Sequence, residues 1–315
     1  MTTSNKKKAE TTAAGVSDFA ENVKAAVSDL VGSGSQQDGI PEEKTTATSK
    51  NSKKNATGSP GTINEKAPAP WTPVVVIPFK ASMARSNELQ YAVRAWAKHL
   101  PGCKVVVIGD KLPWFGKGLG HIPMKPQSKN PQIDVAHKMM AAIASDLVPD
   151  FFIWSNDDIY PVCNISISDI DVLKSMGRLG RRGSDGSIYR KNAARTLDAL
   201  KKSGIRNPWD YATHTPVTFY KEPLADVISK FKCDKEGHLV STLYFNTVWQ
   251  GHNPIRVNIG AGGSIIASIW RKNADRKLVK KAFEDRQFIN NSDAGWSATE
   301  PFLKKLFPKK CRFEK

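Results

Sequence analysis

One stretch, Asp150 to Pro161 (DFFIWSNDDIYP), constrains the fold more than any other. Four apolar or aromatic residues, Phe151 to Trp154, run straight into Ser155, Asn156, Asp157 and Asp158. A short apolar run that ends abruptly in carboxylates reads as a buried parallel strand reaching the edge of its sheet. Open α/β sheets bind ligands just outside the carboxyl ends of their strands. Carboxylates there can hold a divalent cation, Mg²⁺ or Mn²⁺, and the cation can hold a diphosphate. Residues two apart on a strand share a face, so Asn156 and Asp158 point together, and Asp157 joins them only if the strand has already turned. The alternative is a plain strand end in which Asp157 and Asp158 are turn or cap residues.

The flanking sequence supplies the elements such a strand needs. Val74–Phe79 (VVVIPF) reads as a first buried strand, and Ser86 as the cap of a helix from about Asn87 to His99. Lys104–Gly109 reads as a second strand, and Asp134 opens another helix that closes near Pro149. The order strand–helix–strand–helix–strand predicts a mainly parallel α/β sheet with flanking helices. Further on, helices are expected at about Lys191–Ser203, Glu222–Phe231 and Asp275–Phe283, and a strand at Leu239–Trp249. Thr299 or Ser297 is expected to cap a short helix near the C-terminus.

Residues 1–70 differ in kind. They are rich in Ser, Thr, Ala, Lys, Gly and Asn, which predicts a disordered tail ahead of one folded unit at 71–315. Val16, Phe19, Val23, Val27 and Leu30 recur at helical spacing within it. The tail holds 9 Lys and 8 acidic residues, so nearly all of the chain's net charge of +17 falls on the remainder. Such a surface attracts polyanions. The segment 174–206 carries ten Lys or Arg against two Asp, with Arg181 and Arg182 as candidate anion-binding residues. It lacks the interleaved aromatics of single-strand binders, which makes a nucleic acid a poor fit. Four Cys without a CxxC pair argue for reduced thiols and no zinc site. With no apolar span and no signal core, the sequence reads as cytoplasmic, without membrane insertion.

Two further motifs carry possible chemistry. His214 precedes Thr215-Pro216 in a polar setting, where it can act as a general base or a phosphate ligand. Gly260–Gly263 lacks both the Walker and the GxGxxG patterns, and reads as a surface loop.

Taken in order, five blocks resemble the Stealth-type sugar-phosphate transferases of bacterial capsule synthesis, relatives of the animal lysosomal-enzyme N-acetylglucosamine-phosphotransferase. The blocks are Arg85–Arg94 (RSNELQYAVR), Lys104–Gly109 with Pro113-Trp114, Phe151–Asp158, His214-Thr215-Pro216, and Asn290–Asp293 with Phe302-Leu303 and the terminal Phe313-Glu314-Lys315. The resemblance covers most of residues 74–315 and implies a GT-A-like fold, a nucleotide-sugar donor and a divalent metal on Asp157 and Asp158. It makes His214 a catalytic base, Asp158 and Asp293 catalytic partners, and Arg85, Asn87, Glu88, Asn156, Asn290 and Asn291 donor-binding residues. The implied reaction moves sugar-1-phosphate from the donor to a hydroxyl of a glycan or another anionic acceptor. The first block departs from the family: its strand ends Ile77-Pro78-Phe79-Lys80 where the family carries aspartates. That opening is similar to ordinary glycosyltransferases, which move the sugar alone. A non-catalytic polyanion-binding protein is the remaining class.

Overall fold

The computed structural model describes residues 72–180, 186–257 and 265–315. The expectations for the 1–70 tail, for Arg181 and Arg182, and for Gly260–Gly263 lie outside the described residues.

Three predicted strands stand where the sequence puts them: β1 (Val74–Phe79), β2 (Lys104–Gly109) and β4 (Phe151–Trp154). With β3 (Gly120–Pro123) and β7 (Val217–Tyr220) they form a five-stranded sheet in the order β3-β2-β1-β4-β7. All neighbours are parallel except β4 and β7. Strand side chains alternate between two cores. Val74, Val76, Phe152 and Trp154 pack into one, against α2 (Pro131–Ala144), α5 (Lys221–Lys230) and α6 (Val240–Val248). Val75, Ile77, Phe79 and Ile153 pack into the other, with Leu89, Val93 and Trp96 of α1 (Glu88–His99). Burial on both faces is why these strands read as continuous apolar runs. Gly109 closes β2 at φ +137, where an added Cβ would run into the carbonyl oxygen of Phe79, so the ends of β1 and β2 meet through a glycine.

A smaller sheet, β5-β10-β9, consists of Ile159–Pro161, Phe288–Asn291 and Ile266–Ile269, while β6 (Lys174–Ser175) pairs with β8 (Ile255–Arg256) and α3 (Ile167–Ile170) is a single turn. Helices α7 (Arg276–Asp285) and α8 (Trp296–Leu306) pack with it through Val279 and Leu303. The C-terminal segment returns to α1. The Glu314 side chain is covered, and Arg94 grips it through Nε to Oε1 at 2.7 Å and Nη2 to Oε2 at 2.8 Å. The Phe-Glu-Lys terminus is thus a structural latch.

Several local readings are corrected. Leu239–Trp249 is helical, not a strand: its β-branched and aromatic residues bury Leu243, Tyr244 and Phe245 in the first core, and packing overrides propensity. Ser86 does not cap α1. It sits at φ +49, the N-cap is Asn87, and the Glu88 carboxylate accepts from the Arg85 N–H instead. Helix α2 begins at Pro131 behind an Asn130 cap, with Asp134 inside its first turn. Gly295 caps α8, and the Thr299 hydroxyl donates back to its carbonyl. The expected helix at 191–203 is α4 (Ile188–Lys202), and α7 has Asp275 as its cap.

Candidate active site

The strand order reverses between β1 and β4: β2 and β3 continue on one side of β1, and β4 lies on the other. A crevice outside the carboxyl ends of such strands is the ligand site of open α/β sheets. Here it is a cavity of about 160 Å³. The end of β1 lines it with Pro78, Phe79 and Lys80, and the end of β4 with Asn156, Asp157 and Asp158. Backbone beyond Trp154 has turned, so both aspartates reach the cavity and the condition placed on Asp157 is met.

Antiparallel pairing brings in the histidine. Trp154 pairs with Val217, so the residues following β4 run beside those preceding β7. His214 thereby meets Asp158, Nε2 to Oδ2 at 3.0 Å. His214 takes a left-handed backbone at φ +51, uncommon for a residue with a Cβ. Thr213 and Thr215 bracket it, their hydroxyls 2.7 Å apart. Strain of this kind, of order 1–3 kcal/mol, persists where surrounding structure over-determines it, and it concentrates at functional sites. Burial alone would lower the pKa of His214. The charge and hydrogen bond of Asp158, with the charge of Asp157, outweigh that and hold it above its ordinary value.

The remaining wall is acidic and buried. Glu88 accepts from the Arg85 N–H at 2.6 Å and from Asn291 Nδ2 at 2.5 Å, and Tyr160 donates to Asn291 Oδ1 at 3.0 Å. Burial first, and the charge of Asp157 second, push Glu88 up to about 8. Burial and then Asp158 push Asp157 up to about 7. Asp293 reaches the cavity edge, where the exposed Arg85 pairs with it at 2.7 Å.

The structure therefore gathers Glu88, Asn156, Asp157, Asp158, His214, Asn291 and Asp293 at one cavity, with Arg85 at its rim. Asn87 is exposed at the helix cap and does not line the cavity. Asn290 does not line it either. Its neighbour Asn291 takes the cavity side of β10, and Asn290 is fully buried with both amide atoms unpartnered. Lys138 and Trp270 also line the cavity and went unnoticed in the sequence. Lys138 had a signal: it lies four residues after Asp134, and the two form a buried ion pair at 3.0 Å.

Among the described residues no three His, Cys, Asp or Glu side chains converge to hold a metal ion by themselves. The oxygen donors nevertheless suit a hard cation. Asp158 Oδ1 is buried and has no hydrogen-bond partner, and the charges of Asp157 and Asp158 lie close enough to Glu88 to raise its pKa. Mg²⁺ commonly takes one or two carboxylates and completes its shell with water and substrate phosphate. Among the described residues no helix is long and apolar enough to cross a membrane.

No protein-family model and no curated protein matches the chain. Among solved structures it is similar to the galactosyltransferase LgtC, crystallised with donor and acceptor sugar analogs, at 10% identity and a TM-score of 0.37, over 75% of this chain and 95% of that one. A likeness at that level carries no argument about chemistry. The mixed α/β architecture rests on the sheet described above.

Proposed function

We propose that the protein is a nucleotide-sugar-dependent transferase that moves sugar-1-phosphate to an acceptor hydroxyl. The observation that carries this reading is the His214–Asp158 pair, held at 3.0 Å at the strand-order reversal of the sheet. Asp158 accepts a hydrogen bond from Nε2–H and orients the ring, which leaves Nδ1 as the basic nitrogen. A base so placed takes the acceptor's proton as its oxygen forms a bond to the sugar-bound phosphorus. The bridging P–O bond breaks, and its electron pair leaves with the nucleoside monophosphate. Lys80 and Lys138, in the cavity wall, oppose the diphosphate charge. Asp157 and Asp158 Oδ1 would hold the divalent cation, which when bound neutralises charge on the diphosphate. Glu88 and Asn291 brace the first turn of α1 against β10 and fix that wall.

One feature favours a second reading, glycosyl transfer. The first strand ends in Pro78-Phe79-Lys80, and Lys80 lines the cavity where the resembled family carries aspartates. A cation there stabilises a departing nucleoside diphosphate. In that reaction the acceptor oxygen attacks the anomeric carbon, and the C–O bond to the diphosphate breaks. A panel of nucleotide sugars with Mg²⁺ or Mn²⁺ separates the two. Released monophosphate, with a phosphodiester in the product by phosphorus NMR, supports the first reading. Released diphosphate, with no phosphorus in the product, overturns it in favour of the second. Absence of donor turnover or donor binding overturns both.

A further inference from the structure

A second cavity of about 160 Å³ adjoins the first and shares Val135, Asn156, His214 and Trp270 with it. His214 thus stands in the wall between two chambers. Each is sized for part of a small substrate, not for a folded macromolecule. Their linings differ in kind. The first contains Lys80, Glu88, Asp134, Lys138, Asp157, Asp158 and Asp293. The second contains no Lys, Arg, Asp or Glu among the described residues, although the chain carries a net charge of +17. Aromatic faces and small polar groups line it instead: Trp154, Tyr189 and Tyr211, with Ser155, Thr215 and Ser241. The Ser155 hydroxyl is buried, 1% exposed as a residue, and has no hydrogen-bond partner. A buried hydroxyl left without a partner costs about 1–3 kcal/mol, which a ligand hydroxyl would recover.

We propose that the second chamber is the acceptor subsite and that it selects an uncharged, hydroxyl-bearing ring, a neutral saccharide, over anionic acceptors. This rests on the transferase reading for its role. Its chemistry rests on the lining alone. Among the described residues no Lys or Arg lines the chamber and the His214 charge is already matched by Asp158, so an anion finds no spare counter-ion, and desolvating an unpaired charge is far costlier than desolvating a hydroxyl. Aromatic side chains offer flat apolar surface to the C–H face of a sugar ring, and the hydroxyls supply directional hydrogen bonds. The imidazole at the shared wall then meets the acceptor from the second chamber and the donor phosphates from the first. His238, the other titratable imidazole of this lining, is kept neutral near pH 7: burial and then Arg195 lower it to about 4. Among the described residues that leaves protonated His214 as the cation of this lining, and Asp158 already pairs with it.

The test is saturation-transfer NMR on the full chain with nucleoside monophosphate present. The probes are neutral hexoses and disaccharides, with a hexuronate and a hexose phosphate as anionic counterparts. Neutral saccharides should show saturation transfer at least about tenfold stronger than their anionic counterparts, as a site without fixed charge requires. Ser241 is the second residue of α6, in the lining of this chamber and outside the catalytic machinery, so Ser241→Trp should abolish the signal by filling the chamber. Ser241→Asp, a smaller change, should weaken it for neutral sugars. Nucleotide binding, followed by calorimetry, should stay unchanged in both variants. Stronger binding of the anionic probes, absence of any saccharide signal, or a signal that survives both variants overturns the proposal. Nucleotide that fails to bind while saccharide binds overturns the transferase reading and leaves the chamber's selectivity standing.

Discussion

Replacing Asp158 by Asn tests the central pair with little change in shape. The amide oxygen can still accept from His214 Nε2, so the hydrogen bond is kept and only the charge is lost. Two unit charges 3.0 Å apart attract by about 1.4 kcal/mol in bulk water and by about four times that at an effective dielectric constant of 20. The His214 and Asp158 side chains are only 13% and 23% exposed, so the bulk-water figure is a floor. One pKa unit corresponds to about 1.4 kcal/mol. Asp158→Asn should therefore lower the His214 pKa, from above its ordinary value to below it, because the charge opposing burial is then that of Asp157. Imidazole resonances followed against pH report this directly, with His214→Gln identifying the resonance among six histidines. The acid limb of kcat/KM should move the same way, and the plateau should fall by about a hundredfold or more as the oriented base weakens. An imidazole that titrates where it does in the parent, in a variant of unchanged thermal midpoint, would refute the pairing.

Raised carboxylates set the pH dependence of stability. Glu88 is held at about 8 and Asp157 at about 7, so each contributes stability that is complete at low pH and lost as pH rises through those values. His214, also raised, has the same sign, whereas His238 at about 4 has the opposite sign below its ordinary 6.5. The thermal midpoint should fall between about pH 6.5 and 8, and a rise across that window would show the carboxylates to be ionised already. Mg²⁺ added at pH 8 should raise the midpoint in the parent and have no effect in Asp157→Asn/Asp158→Asn; an equal rise in both would exclude them as ligands. Glu314→Ala should cost about 3–5 kcal/mol in denaturant unfolding, because it strands the Arg94 guanidinium. A loss under about 1 kcal/mol would mean that solvent already reaches the pair.

Much of this molecule is legible in the sequence. The apolar runs of β1, β2 and β4 are buried on both faces, and such runs announce themselves without any partner. The abrupt NDD terminus of β4 marks the sheet edge, and with it half of the site. What the sequence could not decide came from pairing and packing. Leu239–Trp249 has strand-like composition, yet the first core admits it as a helix. Asn290 and Asn291 are adjacent and chemically alike, and only the alternation of β10 decides that Asn291 braces Glu88 while Asn290 is buried away from the cavity. His214 lies 56 residues from Asp158. The antiparallel register of β7 on β4 brings them together, since a strand's own sequence carries its periodicity but not its partner.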